Sequence, residues 1–397
     1  MCGWALTSKV ADRRLFFLGV AISLEMLCLR FKLARDLANS MPITCDWSEP
    51  LSTSQETLGP LTANAECALT VVLIGRNEEQ FIGGAIESVL AAKDRVPTLE
   101  IIFVDSASTD RSVEIARQYP VRILQLKPEW PRCVAAGRYI GYLHSHGKYI
   151  FFQDGDSNVE ADWLIKAIDF MEANQDFGAI AGVLDEEYID AAGNYHGSVP
   201  NVFHQDLTKE VCEVKHLGGI AFYRRQAMKI AGPVNPHLPT AEDHELCMRI
   251  RNSGYKLARI SGRMAVKFTE NRKTLYEIIR RSRTKMLDYG AVIRYAQQYG
   301  CAWQFSIESM SFVLSFCLVF LLFLIALPLA AYFGILWLWV VSSLALAALV
   351  IFRKRGVYNA TLAIAMRAVI AIRSVISYCK TIPKRIEEYP TDVIQIQ

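Results

Sequence analysis

The chain has 397 residues, 52% of them hydrophobic, and a formal net charge of +3. It can therefore bury one large core or two smaller ones, and its charge is too small to imply a nucleic-acid partner. Ten cysteines are scattered with no Cys-x-x-Cys pair and no His–Cys ligand spacing. That pattern excludes a disulfide framework and a zinc site, and reads as buried thiols in a reducing compartment.

Leu15 to Phe31 is apolar but contains Glu25, and basic residues flank it on both sides. Residues 1–38 are expected to form an N-terminal apolar helix, as an anchor or an interfacial segment. Residues 39–68 are rich in Ser, Thr, Pro and Glu and read as a linker. A βα alternation follows over residues 69–300. Strands are expected at Leu69 to Ile74, Leu99 to Val104, Val121 to Leu126, Tyr149 to Phe152 and Gly178 to Val183. Helices are expected at Phe81 to Ala92, Ser112 to Tyr119, Cys133 to Ser145 and Trp163 to Asn174. Such alternation argues for a parallel α/β sheet covered on both faces.

Ser311 to Ile335 and Leu336 to Phe352 hold no charged residue. Each stretch is near the roughly twenty residues that a crossing needs, so residues 309–352 are expected to form two transmembrane helices. Tyr332-Phe333-Gly334 supplies a turn, and Pro328 a kink. Arg353-Lys354-Arg355 follows the second helix, and Lys285 and Arg294 precede the first, so both ends are expected to face the cytoplasm. Residues 353–397 read as a cytoplasmic amphipathic tail, with Arg367 and Arg373 holding its apolar part at the membrane surface.

The strand ends carry the chemistry. The run Tyr149 to Phe152 ends in Asp154-Gly155-Asp156. Two carboxylates one residue apart at the end of a buried strand repel each other unless a cation sits nearby, and Mg²⁺ or Mn²⁺ ligated by a diphosphate is one such partner. A solvated Asp-Gly-Asp turn is the plainer alternative. After the first strand come Gly75, Asn77 and Glu78, suited either to a ligand's approach and hydrogen bonding or to capping the next helix. Asp105 follows the second strand and offers an acceptor to a base or ribose. Arg138 lies on the helix before the carboxylate strand, where it faces a phosphate or merely solvent. Gly218-Gly219 precedes an apolar segment, which suggests close backbone approach or a bulge. Glu242 and Asp243 open a helix, where at least one of them serves the helix dipole. Arg280, Arg281 and Arg283 form a basic helical stretch before the membrane, suited to a diphosphate or to anionic headgroups.

In this order the motifs resemble a family 2 inverting glycosyltransferase, over about residues 69–290. The resemblance implies a GT-A (Rossmann-like) nucleotide-sugar-binding domain with a C-terminal transmembrane hairpin. Asp105 would contact the base, Asp154 the ribose or metal region, and Asp156 a divalent cation. Asp243 would be the catalytic base, with Glu242 beside it. Gly75, Asn77, Glu78, Arg138, Gly218, Gly219, Arg280 and Arg281 would complete the donor site. Two features depart from the family pattern. The stretch Ala265-Val266-Lys267-Phe268-Thr269 lacks the histidine that completes the metal shell in many relatives; Lys267 could supply positive charge there, or water could fill the position. The Gln-x-x-Arg-Trp motif of processive synthases is also missing, which favours addition of a single sugar.

The expected protein is thus an integral membrane enzyme, with its catalytic domain on the cytoplasmic face of a bacterial inner membrane. It would move one sugar from a nucleotide-diphospho-sugar to a lipid-linked or membrane-proximal acceptor, in polysaccharide or glycolipid assembly. The rival readings are a polyprenyl-phosphate glycosyltransferase and a nucleotide-sugar-binding assembly protein without turnover.

Overall fold

The computed structural model describes residues 67–96, 98–190, 193–269 and 275–397. The expected helix of 1–38 and nearly all of the expected linker lie outside these residues. Strand β1 (Leu69–Gly75) is a β-branched, apolar run buried along almost its whole length, as a central strand requires. It pairs in parallel with β2 (Leu99–Asp105) on one side and β4 (Tyr149–Asp154) on the other. β3 (Arg122–Gln125) extends this parallel group beyond β2. Helices α1 (Ile82–Leu90), α2 (Ser112–Ala116) and α3 (Val134–His144) make the crossovers. Helix α3 lies hard against β1: a Cβ on Gly141 would come within 2.1 Å of Val72 Cγ1.

Past β4 the sheet is mixed, where the sequence suggested a parallel one. A short strand β5 (Ser157–Val159) and helix α4 (Ala161–Ala173) lead into β6 (Phe177–Ile189), with β7 (Tyr195–Val199) folding back on it. β8 (Val211–Glu213) leads to β9 (Ala221–Arg224), which lies antiparallel between β4 and β6. Helices α5 (Arg225–Ala231) and α6 (Glu242–Asn252) precede the long β10 (Lys256–Thr269), parallel to β6 and antiparallel to β5 and β8. The reversal arises because β9 returns from an excursion of the chain rather than from a helical crossover. Arg224 locks this region by donating to the carbonyls of Phe177 (3.1 Å), Met171 (2.6 Å) and Asn174 (3.0 Å).

Helices α7 (Leu275–Arg283) and α8 (Tyr289–Ala296) lead to three helices long and apolar enough to cross a membrane: α9 (Ala302–Tyr332), α10 (Leu336–Arg353) and α11 (Val357–Lys380). The turn between α9 and α10 contains Gly334 at φ +64, as the sequence suggested. The base of α9 is bound to the sheet domain: Glu308 pairs with Arg251 and, at 3.5 Å, with Lys215. Helix α11 is docked as well, with Arg373 Nε and Nη2 each 2.7 Å from the Asp288 carboxylate. The chain then runs back across the sheet domain. Tyr389, 1% exposed, donates to the Pro131 carbonyl at 2.6 Å, and β11 (Ile394–Gln395) pairs antiparallel with β3. This strand covers an edge that would otherwise lie open. Of the described free cysteines only Cys247 is buried, whereas Cys317 and Cys379 are exposed on the apolar helices.

Candidate active site

Register sets the site. Gly75 lies opposite Asp105, and Ile74 opposite Asp154, so the ends of β1, β2 and β4 reach one sheet edge. The loops beyond are laced together. Asn77 Oδ1 accepts from the Thr109 amide at 2.9 Å, and the Asn77 amide donates to Ser108 Oγ at 2.8 Å. Asn77 therefore does not cap α1, whose N-terminus has no side-chain cap. The Glu78 amide donates to Ser112 Oγ at 2.8 Å. Asp105 is fully buried and accepts from the Ser108 amide (2.9 Å) and Gln125 Nε2 (2.8 Å). Its visible work is to hold this loop. Asn77 (φ 59), Ala107 (φ 57) and Ala241 (φ 51) adopt left-handed backbone at the ends of β1 and β2 and the start of α6. Conformations of this kind cost about 1 kcal/mol or more outside glycine and tend to gather at functional sites.

Lys267 stands at the centre. Its strand is fixed by pairing with Ser157 and by a 2.8 Å bond from the Phe268 amide to the Asp156 carbonyl. Its ammonium donates to Asp154 Oδ2 and lies 3.1 Å from Asp156 Oδ1. Burial would lower the lysine's pKa, but the two carboxylates outweigh it and hold it above its ordinary value. Glu78 borders the group. Burial and then Asp156 push its carboxyl up to about 8, with Asp154 and Asp110 adding and Lys267 opposing.

Arg138, only 4% exposed, bridges the two halves of the site: Nη2 donates to Asp154 Oδ1 at 2.9 Å and Nη1 to Glu242 Oε1. Its Nε is buried without a hydrogen-bond partner among the described residues. Gly219 permits this placement, since a Cβ there would come within 2.5 Å of Arg138 Nη2. Burial pushes the Glu242 carboxyl up to about 7, against the pull of Arg138 and with the help of Asp243. One guanidinium thus joins the end of β4 to the start of α6.

Asp243, the next residue, is half-buried and makes no side-chain hydrogen bond among the described residues. Its charge acts on Tyr223, Tyr289, His216 and Arg138. Tyr289 also feels Arg281, which brings the basic helix α7 toward this end of α6; Arg280 and Arg281 are both half-buried. The His216 and His244 rings stack with centroids 4.3 Å apart, and burial followed by His244 lowers His216 to about 4. His244 Nδ1 lies 3.1 Å from Ser309 Oγ on α9. The sequence reading missed this pair and the two tyrosines. Its one available signal was that His244 follows Asp243 directly.

The edge thus gathers Gly75, Glu78, Arg138, Asp154, Asp156, Gly219, Glu242 and Asp243, while Asn77 and Asp105 are spent on the loops behind. The described residues offer no all-protein shell for a divalent cation. They contain no group of three or more His, Cys, Asp or Glu side chains able to hold one, and Lys267 bonds Asp154 and lies 3.1 Å from Asp156 Oδ1.

Residues 70–229 match the family described as Glycosyl transferase family 2. A curated relative, Glycosyltransferase AglE of Haloferax volcanii, is 24% identical over 48% of this chain, and the match spans 63% of that relative's length. The structure of the mannosyltransferase PcManGT from Pyrobaculum calidifontis, solved with GDP-Man and Mn2+, overlays with a TM-score of 0.50 at 19% identity, covering 80% of this chain and 88% of that one. S. aureus TarS in complex with UDP-GlcNAc gives 0.42 at 20% identity, covering 51% and 59%. The fold is the mixed α/β GT-A type, carrying three C-terminal helices able to span a membrane.

Proposed function

We propose that this chain transfers one sugar, with inversion, from a nucleotide-diphospho-sugar to a lipid-linked or membrane-proximal acceptor. One observation carries the reading: Arg138 ties Asp154 at the donor edge to Glu242, so that Asp243, the next residue of α6, starts beside the same edge. In this reading the donor lies over the ends of β1, β2 and β4, where α/β sheets receive ligands. Asn77 and Asp105 shape the loops beneath it, Gly75 lets it approach, and Arg280 and Arg281 add positive charge from the membrane side.

The step is a single displacement. An acceptor hydroxyl oxygen bonds to the anomeric carbon while the bond to the diphosphate oxygen breaks, its electron pair leaving with the diphosphate. The hydroxyl proton passes to Asp243. The diphosphate's charge must be met at Asp154 and Asp156, through a divalent cation as the sequence suggests or through Lys267. The geometry favours Lys267.

A membrane acceptor is supported by the ties between α6 and the base of α9, Arg251–Glu308 and His244–Ser309. It is also supported by a groove of about 1010 Å³ between the hairpin and α11, apolar along Phe316 and Val319 and basic at Arg353, Lys354 and Arg367. An anionic lipid headgroup fits that end. The same groove suits polyprenyl phosphate, whose anionic oxygen would need no base. The basic flanks would face the catalytic domain toward the cytoplasm. The test is a transfer assay of the full chain in lipid, with a panel of nucleotide sugars and a membrane lipid extract as acceptor. Labelled sugar is expected in the lipid phase. Binding across the donor panel with no turnover would leave a non-catalytic binding protein instead.

A further inference from the structure

We propose that Lys267 is a built-in cation: its ammonium, held between Asp154 and Asp156, does at the donor diphosphate the work that a bound divalent metal would otherwise do. The inference rests on the donor reading above and says how that site meets its charge.

A diphosphate leaving group builds up negative charge as its bond to the sugar breaks, and a neighbouring cation lowers the barrier by stabilising it. Two carboxylates at a strand end can present such a cation only if they hold it firmly. Here they hold a side chain of the chain itself. Lys267 bonds Asp154 and approaches Asp156 Oδ1 at 3.1 Å, while Arg138 takes the other oxygen of Asp154. An ammonium has three donors. One goes to Asp154 while Asp156 Oδ1 lies 3.1 Å away, so the group keeps donor capacity for a phosphate oxygen.

The lysine is also rigidly placed. Its strand is fixed by Ser157 on one side, by Glu186 of β6 on the other, and by the Phe268 amide bonded to the Asp156 carbonyl. The side chain is 19% exposed, so it cannot leave for solvent without emptying the space between the two carboxylates. A metal at this point would have to displace it. Arg138 and Lys267 together then present two positive charges to the donor, the same number as one divalent ion. Asp154 and Asp156 act as positioning residues for the lysine.

The experiment uses the full-length chain in lipid nanodiscs, with UDP, GDP, ADP and dTDP as probes and Mn²⁺ alone as a second probe. Nucleotide affinity is measured in EDTA and in Mn²⁺, and bound Mn²⁺ is read by electron paramagnetic resonance. The expected result is one preferred nucleotide whose affinity changes less than about twofold between EDTA and Mn²⁺, with no site-bound Mn²⁺ signal. Lys267→Met should weaken that nucleotide by about tenfold or more, and Lys267→Arg should restore part of the loss. The proposal is overturned, with the donor reading intact, if the nucleotide binds only with Mn²⁺ and a bound Mn²⁺ signal disappears in Asp156→Asn. If none of the four nucleotides binds under either condition, the donor reading falls and takes this proposal with it. The wild-type measurements decide between these outcomes even if Lys267→Met fails to fold.

Discussion

Helix α6 carries two buried glutamates, one helical turn apart, each paired with a buried arginine, and the pairs differ in what surrounds them. Glu245 receives Arg249 Nε at 2.7 Å and Nη2 at 2.8 Å, and the remaining donors of Arg249 go to the carbonyls of Ala231, Gly232 and Pro233. Every charge is answered, and the pair stitches α5 to α6. Arg138, by contrast, is divided between Glu242 and Asp154 and leaves its Nε unanswered, while Glu242 is pushed up to about 7. A saturated pair serves the fold. An incompletely satisfied pair at the sheet edge leaves capacity for a ligand.

The largest effects should separate the two pairs outright. Arg249→Ala strands Glu245 in the core, and removing one partner of a buried pair costs about 3–5 kcal/mol. The variant should show a sharply lowered melting transition and a poor yield of folded chain. Arg138→Leu leaves Glu242 free to take up a proton near neutral pH, so its melting shift should be the smaller of the two. Its transfer rate should fall by about a hundredfold or more, since it contacts both the donor edge and the base helix. Equal melting losses in the two variants would erase the distinction.

Asp243→Asn probes the next residue along α6. If Asp243 takes the acceptor proton, transfer to a hydroxyl should fall by about 10²–10⁴ in kcat while nucleotide affinity stays put. Full activity on a hydroxyl acceptor would remove the base assignment. Activity kept only on a polyprenyl phosphate would favour the phosphate acceptor.

The contrast also has a pH signature. Glu242 goes from an ordinary 4.5 to about 7 in the folded chain, so the folded state keeps a proton that the unfolded state has lost. Its contribution is therefore intact below about 4.5 and fades as pH rises through 7, by at most about 3 kcal/mol. His216 works the other way. Lowered from 6.5 to about 4, it is neutral when folded and charged when unfolded, and stability falls as pH drops between those values. The fall of the melting temperature should flatten on the alkaline side in Glu242→Gln and on the acid side in His216→Gln. A slope unmoved by either substitution would mean that other groups set it.

Much of the donor edge was legible from sequence because it is local. A β-branched run ending in glycine or aspartate marks a strand end, and parallel register then fixes which ends meet, as with Gly75, Asp105 and Asp154. The helical hairpin was legible for the same reason, since its apolar length and its Gly334 turn lie within one stretch of chain. The long-range contacts were not. Lys267 meets Asp154 across 113 residues, and Arg138 meets Glu242 across 104. No spacing rule announces such pairs. The antiparallel β9 and the closing strand β11 were hidden likewise, because a four-residue strand and a two-residue strand carry too little pattern to declare a partner. Capping, one of the two uses open to Asn77, is a local inference from a polar residue ahead of a helix, whereas here it bonds Thr109 on the neighbouring loop.

The smallest expected effect tests whether the Arg138 side of the comparison is tuned or merely tolerated. Gly219→Ala would bring a methyl within 2.5 Å of Arg138 Nη2, the far end of a flexible side chain that can yield. Gly141→Ala would set the same methyl 2.1 Å from Val72 Cγ1, a stiff branched side chain in the central strand. The Gly141 variant should lose about 1–3 kcal/mol of stability through overpacking. The Gly219 variant should melt within about 1 kcal/mol of the parent, yet lose several-fold in transfer as the guanidinium moves off Asp154 or Glu242. If Gly219→Ala keeps full activity, Arg138 has room to move, and its bridge between the donor edge and α6 is looser than the geometry implies. If it loses stability as Gly141→Ala does, then the unanswered Nε belongs to the packing of the core, and the two arginine pairs differ less in purpose than in degree.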